Sequence, residues 1–171
     1  MDYNDFTKVA QIALQRGTEI AKILRHTHIE NAHLLKGIIE TDDTVTPFIF
    51  RRLGIKTAEF ENSLAEIYRE FKILKDAEDL KVSKHVDKSL NKAKQISVSL
   101  KDDYISIEHI LSGILLSGDI SAKLLLNKGI NQDAIESTIK ELRKAPLSKE
   151  KTSGKYEYLN RFAVNMNEKY K

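Results

Sequence analysis

One stretch of this chain is written twice. "THIENAHLLKGIIE", from Thr27 to Glu40, returns as "DDYISIEHILSGILL", from Asp102 to Leu116. With Ile105 set on Ile29, His109 falls on His33, Leu111 on Leu35, Gly113 on Gly37 and Ile114 on Ile38. The shift is 76 residues through these motifs and 75 after the next loop, where the loss of one residue is tolerated. The flanks follow: Leu14, Ile20 and Leu24 meet Leu90, Ile96 and Leu100, and Phe60, Leu64 and Ile67 meet Ile135, Ile139 and Leu142. Self-similarity at a fixed long period marks an internal duplication.

Each copy reads as four helices. Phe6, Ala10, Ala13, Leu14, Gly17, Ile20, Ala21 and Leu24 form one stripe at helical spacing, with Thr7 placed to cap it. A second helix spans about Asn31 to Glu40 and a third about Thr46 to Leu53, with Pro47 in its first turn and Gly54 at its end. A fourth carries Phe60, Leu64, Ile67 and Tyr68. In the second copy Ser83 and Ser106 take the capping positions. Two prolines and seven glycines are too few for an all-β chain. The fold class is therefore all-α: two four-helix repeats, about 5–72 and 82–145, packed about a pseudo-twofold axis as one globular unit, 1–145. Neither repeat can bury its apolar face alone. The rest, 146–171, reads as a flexible linker, "PLSKEKTSG", and a C-terminal linker helix carrying Tyr156, Leu159, Phe162 and Met166, the start of a segment that leads onward to a further module.

Composition narrows the function. Apolar residues at 41% and charged residues at 31% suit a packed domain. A net charge of +3 with mixed signs gives no basic stripe, so no nucleic-acid partner is expected. There is no cysteine, no signal-like N-terminus and no apolar run near the ~20 residues that span a bilayer. A cytoplasmic chain with no membrane partner is expected.

Catalytic and metal motifs are missing from the sequence. No His-x-x-x-His pair lies on one helix face, and no G-x-x-x-x-G-K-[ST], G-x-S-x-G or H-E-x-x-H occurs. His33 and His109, early in equivalent helices, read as buried structural imidazoles bonded to a loop carbonyl. No metal site, no cofactor and no enzyme activity are expected of this domain. Asp102, Asp103, Ser106 and Glu108 crowd the start of one helix. They cap it and answer its dipole, or they form an acidic rim for a bound chain; the residues alone leave both readings open.

The doubled motif, with "FTKVAQIALQRGTEIA" before it and "LLLNKGINQDAIESTIKELR" after it, resembles the N-terminal (Clp N) domain of the Clp AAA+ unfoldases, of the ClpB and ClpC kind. The resemblance covers about residues 5–145. It implies a non-catalytic receptor on a linker above a hexameric ATPase ring, where ATP and magnesium would be held by modules outside this domain. The implied partners are unfolded or aggregated client proteins, or an adaptor protein. The alternative is one dedicated partner, such as the contracted sheath of type VI secretion or an adaptor for a Clp protease. Carried over by position, the peptide-binding residues are Thr7, Asp102 and Glu108, with Ile96 and Ile110 lining an apolar groove. In the first copy the glutamate of "EH" is replaced by Ala32, so a phosphoarginine pocket of the ClpC kind is not expected there.

Overall fold

The computed structural model describes residues 2–144. Its helices are α1 (Lys8–Ile23), α2 (Asn31–Thr41), α3 (Val45–Leu53), α4 (Thr57–Tyr68), α5 (Lys84–Ser99), α6 (Ile107–Ser117), α7 (Ile120–Asn127) and α8 (Gln132–Lys144). Two two-residue strands, β1 (His28–Ile29) and β2 (Lys81–Val82), pair in parallel. The all-α reading holds, and the helix bounds match the sequence expectation to within a residue or two. The expected linker and C-terminal helix lie outside the described residues.

The repeats are joined by an exchange of chain. The Thr7 hydroxyl accepts from the Ala10 N–H at 3.2 Å, and the Ser83 hydroxyl accepts from the Val86 N–H at 3.1 Å. Each cap leaves the preceding residues extended, and each extended piece pairs with the other repeat. The Thr7 N–H donates to the Ile105 carbonyl at 2.9 Å, and the Ile105 N–H donates to Asp5 at 2.8 Å. At the matching place the Ser83 N–H donates to the Ile29 carbonyl at 3.1 Å, with Ile29 opposite Val82. Phe6 against Ile105 and Val82 against Ile29 are one contact seen twice, which is what a pseudo-twofold axis produces.

Within each repeat the first two helices pack most closely, α1 on α2 and α5 on α6. Glycine permits this. A Cβ on Gly37 would collide with the Ala13 carbonyl and the Gly17 backbone, and one on Gly113 would collide with the Ser89 carbonyl. Backbone-to-backbone approach leaves no room for a methyl group.

The core is shared. Leu35, Ile38 and Phe60 of the first repeat meet Leu111, Leu125 and Ile130 of the second around one small apolar cavity. Burying each such side chain contributes about 1.5–3 kcal/mol. Helix α6 lies deepest: ten of its eleven residues are buried. Among the described residues no single helix is long and apolar enough to cross a membrane.

Candidate functional site

The first turn of α6 starts at Ser106, whose backbone N–H donates to Nδ1 of His109 at 2.8 Å. That donor fixes Nδ1 as an acceptor, so the ring proton sits on Nε2. Nε2 then donates to Asp102 Oδ2 at 2.8 Å. The second repeat thus holds a carboxylate against the inner end of a fully buried imidazole.

A third element closes the cluster. Arg143, in the last turn of α8, donates from Nη1 to Asp102 Oδ1 at 3.0 Å and from Nη2 to Asp102 Oδ2 at 2.9 Å. The same Nη2 donates to Glu108 Oε2 at 3.0 Å. Glu108 is buried, and among the described residues its Oε1 has no hydrogen-bond partner. Burial works against ionising Asp102, but its bonds to His109 and Arg143 outweigh that and hold its carboxyl below the usual range. Burial opposes the charge on Glu108 as well, and the guanidinium of Arg143 beside it brings the balance down. Arg143 also loses hydration, yet Glu108 and Asp102 keep it firmly protonated.

The first repeat builds the same place without charge. The 76-residue shift sets His26 on Asp102 and Ala32 on Glu108, and the 75-residue shift sets Tyr68 on Arg143. The Glu30 N–H donates to His33 Nδ1 at 2.8 Å, and His33 Nε2 meets His26 Nδ1 at 2.8 Å. The Tyr68 ring stacks on His33 with centroids 5.3 Å apart and planes 9° from parallel, and its hydroxyl donates to the Ala32 carbonyl at 2.9 Å. Burial lowers the pKa of His33, with help from His26, to about 3, and burial also lowers that of His26.

The residues expected to form the site separate accordingly. Asp102 and Glu108 come together on one guanidinium. Asp103 beside them is exposed. Thr7 is buried as a helix cap and reaches the cluster only through its backbone bond to Ile105. Ile96 is half-buried on α5. Ile110 was expected on a groove wall and is instead fully buried, because α6 is covered by α5, α7 and α8. The two histidines were expected to bond a carbonyl; both instead accept a backbone N–H at the start of their helix. Arg143 was missed. Its partners lie 35 and 41 residues away, so no local pattern marks it, although the duplication itself sets it opposite Tyr68.

The Clp repeat N-terminal domain model matches residues 5–129, most of the chain. The chain belongs to this family. As a Clp N-domain it is 28% identical over 169 residues to the chaperone protein ClpB of Bacteroides thetaiotaomicron, covering 98% of this chain and 20% of that protein. It is 27% identical over 167 residues to the ClpB of Porphyromonas gingivalis, covering 97% of this chain and 19% of that one. It therefore spans about a fifth of the length of these relatives. Among solved structures, the Hsp104 N-terminal domain of Candida albicans superposes with a TM-score of 0.67 at 25% identity, over 81% of this chain and 91% of that one. A ClpV N-domain in complex with a VipB peptide shares the fold, with a TM-score of 0.67 at 15% identity over 81% of this chain and 86% of that one.

Proposed function

We propose that this Clp N-domain captures exposed polypeptide for a Clp-type ATP-dependent chaperone or disaggregase, and that the Asp102–Glu108–Arg143 cluster is where it does so. The supporting observation is the asymmetry between the repeats. A fold that accepts His26, Ala32 and Tyr68 at one end does not need two carboxylates and a guanidinium at the other. Desolvating such ions costs several kcal/mol each, so a task other than folding accounts for them. Arg143 keeps about a third of its side chain in solvent. A backbone amide or basic side chain of a client engages the carboxylates by displacing that guanidinium. Thr7 acts as a positioning residue, through Ile105, and Ile96 supplies apolar surface beside it.

In this reading the domain makes and breaks no bonds, works in the cytoplasm and forms one unit over about 1–145. The chain contains no G-x-x-x-x-G-K-[ST] phosphate loop. ATP, magnesium and hexamer formation belong to the longer parent. The test is fluorescence anisotropy with labelled, reduced and carboxymethylated α-lactalbumin, a permanently unfolded protein. Micromolar binding is expected, and Glu108→Gln weakens it at least fivefold while the chain remains helical and unfolds cooperatively, at a lower melting temperature because the buried pair with Arg143 loses its charge. Equal affinity of the two proteins would refute the proposal.

A second reading, recognition of one dedicated helix, is favoured by a separate groove. There Ile67 of α4 faces Ile120, Leu124 and Leu126 of α7, with Ile120 and Leu126 exposed. Helix-in-groove partners use such apolar clefts. That reading predicts that Leu126→Asp abolishes partner binding and that Glu108→Gln leaves it intact.

A further inference from the structure

At one of the two matching joints between the repeats, three ligand-bearing side chains converge. Glu30 precedes α2, His85 lies in the first turn of α5, and Asp119 caps α7 by accepting from the Ala122 N–H at 3.0 Å. One nitrogen or oxygen from each lies within 4.8 Å of the others, and His85 Nδ1 is 3.7 Å from Glu30 Oε1. Bonds of about 2.0–2.2 Å put two ligands of a tetrahedral zinc ion roughly 3.3–3.5 Å apart, so small side-chain rotations would close this set on one ion. We propose that Glu30, His85 and Asp119 bind a divalent first-row transition-metal ion, across the seam between the repeats.

Three further observations support the assignment. First, among the described residues neither carboxylate has a lysine or arginine ion-pair partner; the one cationic-capable neighbour of Glu30 is His85 itself. Two carboxylates held together without a basic partner favour a cation between them. Second, the set is held from behind by a fully buried amide. Asn31 follows Glu30 in sequence, and its Nδ2 donates to Asp119 Oδ2 at 2.9 Å, to Ser117 Oγ at 3.3 Å and to the His85 carbonyl at 3.4 Å. One side chain thus ties together the backbones or carboxylates of all three ligands, as outer groups around metal sites do. Its own Oδ1 is buried and has no hydrogen-bond partner among the described residues. Third, the duplication supplies a control. The counterparts at the other joint are Ser106, Val9 and Thr44, which offer no imidazole and no carboxylate. The set is therefore not a by-product of how the repeats meet.

The imidazole decides the class of ion. A carboxylate-only set suits calcium or magnesium; one histidine with two carboxylates and open positions suits zinc and its neighbours. Because the ligands come from both repeats, a bound ion stabilises the joined state over the unfolded chain.

The experiment uses the untagged 171-residue chain, stripped with a chelator and titrated with zinc chloride by calorimetry, alongside thermal melts. One ion per chain with a micromolar Kd is expected, with a rise in Tm of at least about 5 °C at a hundredfold excess over Kd. His85 is exposed, so His85→Ala leaves the metal-free Tm unchanged, while it weakens zinc binding at least twentyfold. Asp119→Asn keeps an oxygen for the Ala122 N–H and still weakens binding. No binding at 100-fold above micromolar zinc, full binding by His85→Ala, or loss of binding in His28→Ala instead would each overturn the assignment.

Discussion

His26 and Asp102 stand at equivalent places in the two repeats, and each meets Nε2 of the buried histidine seven residues later at 2.8 Å. The partner on the first histidine is a neutral ring; the partner on the second is a carboxylate. Everything around the two positions follows that choice. A neutral pair is covered by Tyr68 and Phe71, and a charged pair is covered by Arg143.

The first repeat should be sensitive to acid. Burial lowers the pKa of both His26 and His33, the latter to about 3. Below about pH 6.5 the unfolded chain takes up protons that these folded rings refuse, so stability rises with pH through this window and falls on acidification. Each ring contributes up to about 1.4 kcal/mol per pH unit between its unfolded value and its folded one. Urea unfolding at pH 7 and pH 5 should show this loss. His33→Asn keeps an acceptor for the Glu30 N–H and should flatten the slope. Asp102 and Glu108 act at lower pH, because their stabilisation is present above the ordinary carboxylate range and lost as pH falls through their depressed values.

The close helix pairs should not tolerate a single methyl group. Gly113→Ala drives its Cβ into the Ser89 carbonyl and Gly37→Ala into that of Ala13, and both obstacles are backbone. Each should cost about 3 kcal/mol or more by urea denaturation, since helix α6 or α2 must move bodily.

The two caps should behave as one feature. Thr7→Ala and Ser83→Ala remove equivalent hydroxyl acceptors and should each lower stability by about 1 kcal/mol, with Thr7→Ser nearly neutral. Client binding should change little in either variant, because the bond from the Thr7 N–H to the Ile105 carbonyl is a backbone bond and survives the substitution.

Much of this fold was legible as sequence because it is local. Helical spacing and hydroxyl caps act within a few residues, and the doubled motif is a constant shift along the chain. The site was half legible. Asp102 and Glu108 sit inside or beside the repeated motif, and Ala32 stands in the other copy where Glu108 stands in this one. Arg143 was not legible, because its bonds span two helices and the α8 stripe is marked by Ile135, Ile139 and Leu142. Ile110 shows the opposite failure: its spacing suits a groove wall, but burial of nearly all of α6 comes from helices that periodicity does not place.

Replacing the charged set by its own counterparts tests the central claim most directly. The variant Asp102→His, Glu108→Ala, Arg143→Tyr gives the second repeat the side chains that the first already folds around. Its affinity for carboxymethylated α-lactalbumin and its urea midpoint are measured together. A midpoint at or above that of the parent chain, with client binding reduced at least tenfold, is the predicted result. A folded variant that binds as tightly as before would contradict it.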